Sequence, residues 1–280
     1  MDKIKLNYKI KNVKLAFAIL IIMAIIVLAL YSTLIFSRII MKNEFTNQML
    51  EIANENENPI FNIQKISTYS SADAFNEEDN RSLQNMSISQ YSDLSIYLDN
   101  SLSSSDITAE NTISKLYIDN IKIETNSEKG SQVLNYKNFL DLGKYKDLSS
   151  TDRIDFKIVR TNEENENTDY NEPTFYTDCS NPITLGFLNK DIVTGYSVSS
   201  DSNSVSFNGK VLQEAGVNLD DIKCALSFTI HIVNNSGKKF AYNMNIDLDF
   251  NDDNGGIYNG YINTTNTTSG EEFYFFRELN

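Results

Sequence analysis

The stretch KCALSFTIHIVNNSGKKFAYNMNIDLDF, residues 223–250, decides the fold. In its first half Cys224, Leu226, Phe228, Ile230 and Ile232 alternate with Ser227, Thr229 and His231. In its second half Phe240, Tyr242, Met244, Ile246, Leu248 and Phe250 alternate with Asn243, Asn245, Asp247 and Asp249. Successive side chains of a strand point to opposite faces, so a period of two marks two strands that each bury one face and wet the other. Between them NNSGK, residues 234–238, supplies the Asn and Gly that a hairpin loop of this length favours. Pairing Ile232 with Phe240 keeps both apolar sets on one side and sets Phe228 opposite Met244. A slip of one residue would turn one strand's apolar side chains to solvent, so the register follows from the pattern.

Working outward, the same signals predict strands over 61–69, 94–98, 115–124, 153–160, 192–198, 205–207 and 272–277, with short helical turns over 133–142 and 209–215. TNEENENTDYNE, between Arg160 and Pro173, has too little apolar content for a core and reads as an exposed loop. Antiparallel units with one apolar face each bury those faces most simply against one another. The expected fold is therefore mainly β: an antiparallel β-sandwich of jelly-roll-like type over 58–280, as one domain.

Two of the chain's three prolines sit in the same tripeptide, Asn58-Pro59-Ile60 and Asn181-Pro182-Ile183. Each is followed by a Leu-Gln pair, an alternating strand and a Tyr-initiated strand, at offsets of 123, 129, 132 and 125. The common order suggests a duplicated β unit, 58–124 and 181–250. Coincidence in a chain rich in Asn, Ser and Ile is the competing reading. In either case proline lacks an N–H and fits the first position of a strand or an edge.

The N-terminus is of another kind. Residues 15–36, from Leu15 to Phe36, carry no charged side chain, and about 20 apolar residues are what a helix needs to cross a bilayer. Lys3, Lys5, Lys9, Lys11 and Lys14 precede this run, while Arg38 and Lys42 follow it closely. The flank richer in Lys and Arg stays cytoplasmic, which sets residues 1–14 inside and the rest of the chain outside. A cleaved signal peptide has a shorter apolar region and ends in a small-x-small site; Ala29-Leu30-Tyr31 is a poor one, so the segment reads as an uncleaved single-pass anchor. Residues 37–57 read as a helical stalk that loosens into a polar linker.

Beyond residue 42 the chain holds 17 basic and 37 acidic residues, a net charge of −20. Such a surface repels phosphate backbones and argues against nucleic acid as a partner. Cys179 and Cys224 are the only cysteines, and an isolated pair in an exported domain is expected to form one disulfide. DLDFNDDNGG, residues 247–256, gathers Asp247, Asp249, Asn251 and Asp253 at a strand end. Oxygen ligands of that kind suit calcium, although the spacing is not that of an EF-hand loop, and an acidic turn is the plainer reading. No other cofactor is suggested.

Catalytic signatures are missing. There is no GxSxG, HExxH, P-loop or GxGxxG after a strand. His231, the only histidine, falls on the polar face of its strand and reads as solvated, and Glu163, Glu164 and Glu166 fall in the exposed loop. The expectation is a non-enzymatic binding or assembly module on the cell surface, engaging a protein, a glycan or copies of itself. A membrane-anchored envelope or glycan hydrolase is the alternative. A pilin-like subunit shares the plan of one apolar helix carrying an external β domain. Its processing site needs Gly before the apolar run and Glu at the run's fifth position, where this chain has Lys14 and Ile19.

Overall fold

The structure, a computed structural model, describes residues 2–57, 59–79, 82–100, 107–125, 129–137, 145–147, 153–160, 172–198, 210–248, 261–266 and 274–278. The chain divides into two compact units, Met1–Asn54 and Glu55–Asn280.

The first unit is one continuous helix, α1 (Asp2–Glu57). Within it Val13–Asn54 contains a stretch long and apolar enough to cross a membrane, and none of that stretch is buried against protein. Ser32, Thr33 and Ser37 return their hydroxyls to the carbonyls of Leu28, Leu30 and Leu34 at 2.7–2.9 Å. That internal satisfaction is what hydrocarbon demands of polar groups.

The second unit is built from β1 (Asn62–Phe75), β2 (Met86–Asp99), β3 (Ile113–Thr125), β4 (Ser131–Lys137), β5 (Tyr145–Asp147), β6 (Arg153–Val159), β7 (Thr174–Tyr176), β8 (Ile183–Tyr196), a single helical turn α2 (Lys210–Glu214), β9 (Cys224–Asn234), β10 (Lys239–Leu248), β11 (Tyr261–Asn266) and β12 (Phe276–Arg277). They form two six-stranded sheets, one in the order β11-β1-β2-β8-β4-β5 and the other β12-β10-β9-β3-β6-β7. Among the described residues only β6 and β7 pair in parallel. The inner faces meet in one core that holds Ile88, Ile96 and Leu185 of the first sheet with Leu116, Phe228 and Ile230 of the second. Aromatic pairs reach across it: Phe61 meets Phe240 edge-on at 5.2 Å, and Tyr136 meets Phe156 at 6.2 Å. The chain is thus mainly β, with two facing and largely antiparallel sheets that follow an apolar N-terminal helix in sequence.

The hairpin has the expected register, with Ile232 opposite Phe240 and Phe228 opposite Met244. Elsewhere the strands outrun their sequence signals. β8 begins at Ile183 rather than 192, and most of its first half is buried on both faces. Its place at the centre of a sheet explains the missing alternation, since the Lys137 side chain lies across Gly186 on the outer face and pairs there with Asp93. The helical turn expected over 133–142 is corrected: residues 131–137 form β4, because pairing with β8 outweighs local helical preference. β5, β7 and β11 lacked a readable pattern. Residues 205–207 and most of the acidic loop lie outside the described residues.

The second Asn-Pro-Ile does begin a strand, since Pro182 immediately precedes β8. Asn181 is buried, accepting from the Tyr176 N–H at 2.6 Å and donating to the Thr174 carbonyl at 3.1 Å, so it clamps β7 from its own turn. The candidate repeats do not share a pairing scheme. β1 pairs with β2 as a hairpin, whereas β8 pairs with β2 and β4 while β9 pairs with β3 and β10. Strand pairing gives the duplication no support.

Candidate functional site

The outer face of the second sheet gathers the polar residues that alternate with the core. On β3, Tyr117 stands opposite His231 of β9 and opposite Asp155 of β6. The Tyr117 and His231 rings stack in parallel, 4.5 Å between centroids and 11° apart in plane. From the other side the Arg153 guanidinium lies 3.7 Å from the Tyr117 centroid. Tyr117 is therefore held between an imidazole and a cation. Burial pushes its hydroxyl pKa up, while the Asp155 hydrogen bond raises that of Arg153.

His231 is half-buried rather than solvated, its side chain 13 % exposed. Its Nε2 is 2.9 Å from Asp119 Oδ1, and its Nδ1 is 3.6 Å from Glu278 Oε2 near the C-terminus. The ring thus sits between two carboxylates. Neither ring nitrogen is turned to a hydroxyl or thiol among the described residues, so this is not the arrangement of a nucleophilic triad.

Next to this stack β3 carries a bulge. Its pairing with β9 jumps from Asp119 opposite Thr229 to Lys122 opposite Ser227, and Asn120 adopts a left-handed φ of 53°. Asn is among the few residues other than Gly that take this conformation readily. Bulges bend a strand and re-aim side chains. Here Asn120 turns its amide to Asp119 Oδ1 at 3.0 Å and to Thr229 Oγ1 at 3.3 Å. Thr229 in turn donates to Asn243 Oδ1 at 2.9 Å on β10. A polar chain therefore crosses three strands, from His231 through Asp119, Asn120 and Thr229 to Asn243.

The far end of that chain, Asn120, Thr229 and Asn243, lies in a shallow recess of about 230 Å³ whose lining also includes Lys122, Ser227 and Asn245. Phe228 and Met244 complete the lining; its polar side chains are amides and hydroxyls, which both donate and accept, with one ammonium group and no carboxylate or imidazole. Alternation alone had assigned Thr229, His231 and Asn243 to the wet face. Tyr117, Asp119, Asn120 and Arg153 escaped the sequence reading because β3 here meets β9 through pairings over 100 residues apart and β6 through pairings over 30 apart, and because the bulge has no sequence mark of its own.

The other sequence candidates fall elsewhere. Asp247 is exposed on β10, opposite Ala225, while Asp249, Asn251 and Asp253, like Glu163, Glu164 and Glu166, lie outside the described residues. Among the described residues no group of three His, Cys, Asp or Glu side chains is placed to hold a metal ion. The expected disulfide is corrected, because Cys179 and Cys224 are both free thiols. Cys224 lies opposite Thr125, the last residue of β3, whereas Cys179 follows Thr177, which bonds Ile113 at the first. A strand of that length separates the two by roughly 35 Å at ~3.3 Å per residue, far beyond the ~7 Å limit between bridged Cα atoms.

No protein family, curated protein or solved structure was found to match the chain.

Proposed function

We propose that this protein is a non-enzymatic binding module, tethered by α1 with its β-sandwich outside the cell, that contacts a glycan through the recess on the outer face of its second sheet. The observation that supports this reading is the recess lining. Sugar hydroxyls donate and accept at once, and so do the facing groups of Asn120, Thr229, Asn243 and Asn245. Glycoside hydrolysis needs two carboxyl groups flanking the scissile bond. The lining holds no carboxylate, and Asp119, which accepts from Asn120 at its rim, is turned to His231, which favours binding over turnover. The lysines before the span favour an outward-facing domain.

The test uses the full-length protein in lipid nanodiscs, screened on a glycan array and then titrated calorimetrically with the best ligand. Thr229→Val with Asn243→Ala is expected to weaken that binding by about tenfold or more, the loss of one or two hydrogen bonds at roughly 1 kcal/mol each. Lys65→Ala, on the other sheet, should leave it unchanged. Binding that ignores the double variant, or no binding at all, would reject the site.

A further inference from the structure

We propose that α1 pairs with the α1 of a second copy of this chain, in parallel, along the part of the helix that follows the apolar span. At about 100° per residue, Met41, Phe45, Met49 and Ile52 fall within one arc of about 80°. Met41, Phe45 and Met49 are 68 %, 55 % and 44 % exposed. Asn43, Asn47 and Asn54 occupy the opposite side, where Leu50, 61 % exposed, is the one large apolar side chain between residues 41 and 54 that falls outside the arc. Four of the five large apolar side chains in this stretch thus share one side of the helix, and such an alignment clear of the apolar span is the usual mark of a helix–helix contact.

Two observations commit that contact to a second copy. The stripe belongs to a helix that runs without a break from the apolar span, so its partner must leave the bilayer in the same direction and at the same height. Another copy of this chain does so by construction. Charge is the second observation. Glu44 and Glu51 border one side of the stripe, and Lys42 borders the other. In a parallel two-fold pair each copy's acidic border faces its partner's basic border, with Glu44 only about 3 Å along the axis from Lys42. An antiparallel pair would set like borders together, and a shared membrane forbids it. The spacing of seven from Leu34 to Met41 and from Phe45 to Ile52 is the repeat that such a seam uses. Arg38 shares the arc one turn nearer the membrane, where its long side chain can reach the headgroups.

The test is a cysteine scan of the full-length chain in phosphatidylcholine–phosphatidylglycerol vesicles, with Cys179 and Cys224 changed to Ala. Single cysteines at 41, 45, 49, 52, 43, 47 and 54 are oxidised with copper phenanthroline, and dimer is read on non-reducing gels. Crosslinking at 41, 45 and 52 is expected to exceed that at 43, 47 and 54 by about fivefold or more. Uniform crosslinking, or a maximum on the asparagine side, would overturn the proposal. A charge exchange gives a second readout. With the reporter cysteine at 45, Lys42→Glu should lower dimer yield several-fold, and adding Glu44→Lys should restore it; a yield indifferent to both changes counts against the seam.

Discussion

At the scale of single residues the two cysteines carry the sharpest expectation. Burial pushes the Cys224 thiol up to about 12, and the Cys179 thiol is likewise pushed up by burial, with Asp178 and Asp99 adding to it. The thiolate is the nucleophile, and at pH 8 a thiol of pKa about 12 is ionised in roughly one molecule in ten thousand. The native protein at pH 8 should therefore react negligibly with a disulfide reagent over minutes. Denaturant without reductant should release two thiols per chain; zero would mean that a bridge forms after all. The sequence supported the wrong expectation because it shows an even cysteine count but not that the two positions adjoin opposite ends of β3. His231 taught the same lesson in milder form. Its face was legible from alternation, but its partners Asp119, Tyr117 and Glu278 come from elements far away in sequence.

At the scale of elements the bulge in β3 controls the recess. A β-branched side chain is disfavoured at a positive φ, and the left-handed conformation costs such residues about 1–2 kcal/mol. Asn120→Val should lower stability by about that amount or more, since it also removes both amide hydrogen bonds. Asn120→Gly keeps the conformation without strain and should cost less than the valine variant, while still weakening ligand binding. Chemical denaturation of the two variants side by side checks the order, and equal losses would mean that backbone geometry is not what Asn120 supplies. The contrast between β9–β10 and β8 shows what was readable in advance. A hairpin is local, half-wet and closed by its own turn, so its period and register are both visible. β8 takes partners from β2 and β4 and its first half, ITLGFL, is mostly covered on both faces, so that half reads as an apolar run broken by Thr184 and Gly186 rather than as an alternation. β7 is three residues long and is held by Asn181, a side-chain clamp that no periodicity announces.

At the scale of the whole molecule the sandwich is closed by its C-terminal segment. Phe275 is 1 % exposed, donates its N–H to the Phe61 carbonyl at 3.0 Å and packs 5.7 Å from Tyr242. Tyr274 bridges to Asn62 at the start of β1, while Phe276 and Arg277 pair with β10. One short segment thus joins both sheets. Phe275→Ala should cost about 3–5 kcal/mol, the range for a large aromatic removed from a core, and deletion from residue 274 onward should cost more; a deletion variant with unchanged thermal unfolding would contradict this. The arrangement also bears on how the protein is made. Phe61 leads into the first strand, and the side chain that seals it is synthesised about 200 residues later. At roughly 5–20 residues per second, the growing domain stays unsealed for about 10–40 s. During that interval the edge of β1 lacks β11, and the core beside Phe61 and Phe240 lacks Phe275. The cell must keep an incomplete sandwich from pairing with its neighbours until Phe275 has been added.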